Sequence, residues 1–158
     1  STKENQIRCL EKHIVLEEKR EKPLCLHERS ASEDFVRRFR KHPDICRKSV
    51  VHCFTGNKET LKQYLSMGFS IGITGWICDD RRAGELREAV CQIPLDRILV
   101  ETDAPYLTPR NVPGLPRTNV PQNIVYVVRE LAKYMKVSEE ALMEHARENT
   151  ERIFQIEE

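Results

Sequence analysis

Apolar positions along this chain follow two patterns. Four short runs are continuous: Leu24-Cys25-Leu26, Val50-Val51-His52-Cys53-Phe54, Ile71-Gly72-Ile73 and Ile98-Leu99-Val100. Unbroken runs of this length predict buried strands covered on both faces, as in parallel sheets. Between them the apolar residues recur every three or four positions, the spacing of one helix face. Ile7, Leu10 and Ile14 share a face before the first run; Phe35, Val36 and Phe39 share one after it, with Ser32 as the expected N-cap and Glu33 and Asp34 favourable to the helix dipole. Leu61, Tyr64 and Leu65 follow the second run and close at Gly68, and Leu86, Ala89, Val90 and Ile93 follow the third. A Pro-rich stretch from Ala104 to Gln122 comes next. Two more helices follow, one carrying Ile124, Val127, Leu131 and Tyr134, the other capped by Ser138. Alternation of helix and strand with a helical tail predicts an α/β fold with a parallel sheet and right-handed crossovers.

Composition narrows the class. The 158 residues fit one domain, expected over 1–158. Lys and Arg number 26 against 25 Asp and Glu, a net charge of +1, so any site for a polyanion has to be made locally. No apolar run approaches the roughly 18 residues of a membrane span, and the opening Ser1-Thr2-Lys3-Glu4-Asn5 lacks a signal-peptide shape. The six cysteines show no CxxC spacing, and Cys25 and Cys53 lie inside apolar runs. They read as reduced thiols of a cytoplasmic or nuclear protein that is not secreted.

In parallel α/β folds, functional groups gather at the carboxyl ends of strands. The first run ends at His27 with Arg29 just beyond; the second carries His52; the third ends at Thr74-Gly75-Trp76; the fourth runs through Glu101 to Asp103. Two imidazoles and a carboxylate from three strands, His27, His52 and Asp103, are the donor types of a hydrolase site holding a divalent metal. Asp103 can ligate the metal or take a proton from its water, and Glu101 can bond a histidine N–H behind it. Taken singly, a strand histidine is an ordinary core residue. Trp76, the only tryptophan, can stack a base or pack beneath a loop. Asn57 can cap a helix, or the amides after Gly56 can hold a phosphate. Arg29, Arg81, Arg82, Arg110 and Arg117 fall near predicted loops, where they can line a backbone-binding groove or simply be solvated.

Several of these segments carry a family resemblance. Lys22-Pro23-Leu24-Cys25-Leu26-His27-Glu28-Arg29, Val51-His52-Cys53-Phe54-Thr55-Gly56 and Glu101-Thr102-Asp103-Ala104-Pro105-Tyr106-Leu107-Thr108-Pro109-Arg110 resemble the TatD family of metal-dependent deoxyribonucleases, a group of (β/α)8 barrels of the amidohydrolase type. Arg117-Thr118-Asn119-Val120-Pro121 is similar to the family's Arg-x-Asn-Glu-Pro, with Val120 where Glu is usual, and residues 71–82 are similar to its bacterial TatD branch. The resemblance implies a fold consisting of the C-terminal half of a TIM-type barrel, strands five to eight, in an N-terminally incomplete TatD-like hydrolase domain. A whole barrel takes about 250 residues. The N-terminal metal motif and the Glu of the Gly-Glu-x-Gly-Leu-Asp segment would then lie outside the chain. Metal ligation by His27 and His52 is implied, with a ligand or catalytic role for Asp103; Arg29, Glu101 and Asn119 match family positions. The implied activity is Mg²⁺-dependent hydrolysis of phosphodiesters (Mn²⁺ and Zn²⁺ being alternatives), as a 3′-5′ exonuclease on single-stranded DNA. Two alternatives stand beside it: a truncated, catalytically incomplete fragment acting as an interaction module, and a related metal-dependent hydrolase such as an aminoacyl-tRNA deacylase. Exposed sheet edges imply a dimer or pairing with the missing N-terminal half of the barrel.

Overall fold

A computed structural model describes residues 2–20 and 22–156. The four continuous runs become four parallel strands, β1 (Cys25–His27), β2 (Val50–His52), β3 (Ser70–Ile73) and β4 (Ile98–Val100), ordered β1-β2-β3-β4. Cys25 faces Val50 across the first pair and His27 faces His52; Ile71 faces Ile98 and Ile73 faces Val100 across the third. Sequential parallel neighbours require a crossover between each pair. Helices α1 (Lys3–Arg20), α2 (Ser32–Phe39), α3 (Pro43–Lys48), α4 (Lys58–Met67) and α5 (Gly84–Ala89) precede β4, and α6 (Ile124–Met135) and α7 (Glu139–Phe154) follow it. No helix among the described residues is long and apolar enough to cross a membrane.

The half-barrel expectation does not hold for the described residues. Their four strands of three or four residues form an open sheet in which β1 and β4 each have one neighbour. The observed architecture is an open parallel α/β sheet. An outer strand is also less covered, and β1 departs from the two-sided burial its sequence predicts: Leu26 is buried, whereas Cys25 and His27 are exposed. Two local readings change as well. The N-cap of α2 is Ala31 rather than Ser32, and it makes no side-chain capping bond. Its own N–H is instead satisfied by the Glu28 carboxylate. Helix α3 has too few residues for a periodic signal, although Pro43 at its first turn is a start signal.

The helix facing the first crossovers is held by an aromatic cluster. Phe69 is fully buried, with ring centroids 5.5 Å from Phe35, 5.4 Å from Phe39 and 6.3 Å from Tyr64. At the other end, Asn149 on α7 is buried and donates to the carbonyls of Leu95 and Ile98 at 2.8 and 2.9 Å. This pair of bonds docks the last helix on the start of β4. Removing the Phe69 ring opens a cavity between α2, α4 and the sheet. Phe69→Ala is expected to cost about 3–5 kcal/mol of unfolding free energy, read from urea denaturation.

Candidate functional site at the carboxyl ends of the strands

Parallel register delivers His27 and His52 side by side at the ends of β1 and β2, with ring centroids 5.7 Å apart. Two strands from β2, beyond β3, β4 runs out into Glu101 and Asp103. The His52 ring lies between these two carboxylates: Nδ1 is 2.8 Å from Glu101 Oε2 and Nε2 is 3.0 Å from Asp103 Oδ1. Glu101 Oε2 also accepts the backbone N–H of Cys53 at 3.1 Å, and the Glu101 N–H donates to the Ile73 carbonyl at 2.9 Å. Cys53 adopts φ 50°, a left-handed conformation uncommon for a residue with a side chain. Space for the Glu101 carboxylate comes from β3. A Cβ on Gly72 would sit 2.3 Å from its oxygens, so a side chain there would push the carboxylate out of its place beside His52.

The electrostatics follow from this clamp. The Glu101 hydrogen bond raises the His52 pKa above its ordinary value against the opposing effect of burial, and the Asp103 charge adds to the rise. Burial pushes the Cys53 thiol up to about 11, with the nearby carboxylates contributing in the same direction; Cys25 is shifted upward for the same reasons. Both thiols therefore stay protonated at neutral pH and are poor metal ligands there.

Glu101 fixes the proton of neutral His52 on Nδ1, which turns the Nε2 lone pair towards the Asp103 carboxylate. Two acceptors 3.0 Å apart need a shared cation, either a proton on His52 or a metal ion. That separation also fits neighbouring ligands of an octahedral Mg²⁺, whose bonds are about 2.0–2.1 Å. His52 and Asp103 thus fit one edge of a metal site. Among the described residues, no group of three or more His, Cys, Asp or Glu side chains is arranged to hold an ion.

The remaining candidates are distributed differently. Arg29 is exposed just past β1. Trp76 lies in the 3-10 turn Gly75–Cys78 after β3, half-buried, with the Arg82 guanidinium 4.0 Å above its ring. Asn119 is buried and its amide is engaged within the long loop. It donates to the Tyr106 carbonyl at 2.8 Å and accepts from Asn123 Nδ2 at 2.8 Å. The Asn57 side chain accepts the Thr60 N–H at 3.0 Å, the helix-capping reading of that residue.

Two supporting acids escape sequence reasoning. Glu28 accepts the Tyr64 hydroxyl at 2.7 Å, which ties the loop carrying Arg29 to α4. Asp79 is 3% exposed and binds three guanidinium groups, those of Arg81 (2.9 Å), Arg82 (2.8 Å) and Arg110 (3.5 Å). Local sequence hints at Arg81 and Arg82 only, because Arg110 arrives from a distant loop. Gly72 did carry a signal, being a glycine inside a strand run.

Two measurements probe this arrangement. In metal-free protein, the His52 ring followed by NMR is expected to titrate above the ordinary histidine value, and Glu101→Gln is expected to move the midpoint down. The arginine bonds hold the Asp79 carboxyl well below the usual carboxylate range. Its stabilisation is therefore present above the unfolded pKa, about 3.9, and is lost as pH falls towards the folded value. Asp79→Asn is expected to cost about 1–3 kcal/mol at pH 7, with the difference from wild type shrinking below about pH 4 in denaturation curves.

Comparison with known proteins agrees with this architecture. A protein of Pectobacterium carotovorum subsp. carotovorum (strain PC1) named 3'-5' ssDNA/RNA exonuclease TatD is 39% identical over 158 residues, covering 99% of this chain and 61% of that protein. A protein of the same name from Yersinia pseudotuberculosis serotype O:3 (strain YPIII) is 40% identical over 136 residues, covering 85% of this chain and 52% of its own length. The crystal structure of YJJV, a TatD homologue from Escherichia coli K12, matches with a TM-score of 0.87 at 25% identity, over 98% of this chain and 58% of that one. The chain spans 61% and 58% of the Pectobacterium and E. coli proteins, more than the half expected from its sequence. Residues 1–155 match the description TatD related DNase, and the chain belongs to that family.

Proposed function

We propose that this site serves the hydrolysis of phosphodiester bonds in single-stranded nucleic acid, removing nucleotides from the 3′ end with the help of a divalent cation. The observation that carries the reading is His52, clamped between Glu101 and Asp103 with His27 alongside. Support for the substrate class comes from the two bacterial relatives, whose names state 3'-5' ssDNA/RNA exonuclease. Mg²⁺ is the first choice of cation, with Mn²⁺ and Zn²⁺ as alternatives; His52 Nε2 and Asp103 would hold one edge of it, with His27, alongside, as the third donor that the family resemblance implies. When bound, such an ion polarises a phosphoryl oxygen and acidifies water.

The chain's own residues do the rest. Glu101 accepts the Nδ1 proton of His52 and so keeps Nε2 available as a donor atom. Gly72 and the Cys53 N–H hold that carboxylate in place. Asp103, 26% exposed, has an oxygen left over to take the proton of an attacking water. The six unpaired cysteines favour a reducing compartment, cytoplasm or nucleus.

A second reading rests on the metal edge itself. Among the described residues fewer than three donors converge, which favours a chain that keeps family residues without a working site. Release of nucleotides from a 5′-labelled single-stranded oligonucleotide with Mg²⁺ or Mn²⁺, with and without chelator, separates the two. Metal-dependent shortening from the 3′ end is expected; none at all would favour the second reading. His52→Ala and Asp103→Asn are each expected to reduce the rate by about 10²–10⁴-fold while circular dichroism stays unchanged. Wild-type rates in either variant would overturn the assignment.

A further inference from the structure

The long loop after Asp103 does not lie idle on the surface. It folds back on the 3-10 turn Gly75–Cys78 so closely that a Cβ on Gly75 would come within 2.1 Å of the Leu107 carbonyl. Asn119 fastens the far end of the loop to Tyr106. Between turn and loop is an open cavity of about 680 Å³, within the roughly 300–1,000 Å³ of small-molecule sites.

Its lining is unlike the rest of the protein. Arg82, Arg110 and Arg117 face it against a single acid, Asp79, a net charge of +2 in a chain whose total is +1. Asp79, itself buried, holds Arg82 and Arg110 on the wall. Arg117 is exposed and makes no ion pair among the described residues, so its charge remains available. Two aromatic rings complete the lining: Trp76 beneath the Arg82 guanidinium, and Tyr106, 74% exposed. Cationic side chains beside stacking surfaces are the chemistry of a nucleotide in a single strand. The cavity also adjoins the catalytic rim, because the Tyr106 N–H donates to the Asp103 carbonyl at 2.6 Å.

We propose that this cavity is a second nucleotide position. The base of one unit of a single strand stacks against the Trp76–Arg82 pair or Tyr106, and its phosphate meets Arg110 and Arg117. The strand's cleaved phosphate lies at His52 and Asp103, so the ligand class rests on the nuclease reading. Asp79 is a positioning residue here, acting through the arginines it orients.

Trp76 is the only tryptophan, so its emission reports the cavity directly. The chain is titrated in chelator with tetrathymidylate, with an abasic tetramer of the same length and with inorganic phosphate. Saturable quenching by tetrathymidylate is expected, with weaker binding of the abasic strand and still weaker binding of phosphate. Arg117→Glu, on the exposed loop, is expected to raise the Kd for tetrathymidylate about tenfold and to flatten its salt dependence. The proposal is overturned if emission is unmoved at millimolar oligonucleotide, if the abasic strand binds as well as the intact one, or if Arg117→Glu binds like wild type. Because no metal is present, loss of quenching sinks the cavity alone. Failure to hydrolyse in the Mg²⁺ assay sinks the nuclease reading alone.

Discussion

The site depends on the hydrogen bond from His52 Nδ1 to Glu101 Oε2. It joins the end of the second strand to the end of the fourth across the third, which contributes only a glycine at the crossing point. A carboxylate so far withdrawn from water loses several kcal/mol of hydration. Two donors, the imidazole and the Cys53 amide, return about 1.5–3 kcal/mol each. The two effects are of similar size, so the clamp adds little to stability. What it fixes is direction: one imidazole tautomer, one ring orientation and one nitrogen facing Asp103.

That direction is useful only if the rim stays put, and the fold secures it from both ends. Phe69 and its ring neighbours brace the helices behind the first strands, and Asn149 pins the last helix to the start of the fourth. Glu28 bonds to Tyr64, a member of the same aromatic group, so the loop beyond His27 is tied to the core that supports β2 and β3. Core packing and rim geometry are therefore linked through the Glu28–Tyr64 bond.

Periodicity in the sequence was enough to place each strand to within a residue or two, because parallel strands and amphipathic helices leave period signals. His27, His52, Glu101 and Asp103 were legible for a related reason: each falls at the end of such a run, and parallel register aligns run ends. What could not be read locally was anything made by return of the chain. Asp79 collects an arginine from a loop about thirty residues later, and Tyr64 reaches back to Glu28. The barrel expectation failed at the same level. A chain's own periodicity does not show what share of a whole fold it spans: the described residues supply an open sheet of four strands, and the chain covers 58% of the E. coli structure rather than half. Cys25 marks the limit in miniature: its run is apolar, yet an outer strand leaves it exposed.

Charge is divided between the rim and the neighbouring cavity. Glu101 and Asp103 make the rim negative, offset at most in part by a charged His52, so a bare phosphate is repelled there unless a cation intervenes. In the cavity between the turn after β3 and the long loop, Arg82, Arg110 and Arg117 outweigh Asp79, a balance that favours a phosphate without any metal. Under the proposed reading, a phosphate would be accepted at the rim only together with a cation, beside Asp103. The proposed selection of a polyanion by a near-neutral chain rests on this division, in which the two signs of charge are separated between rim and cavity rather than averaged over the surface.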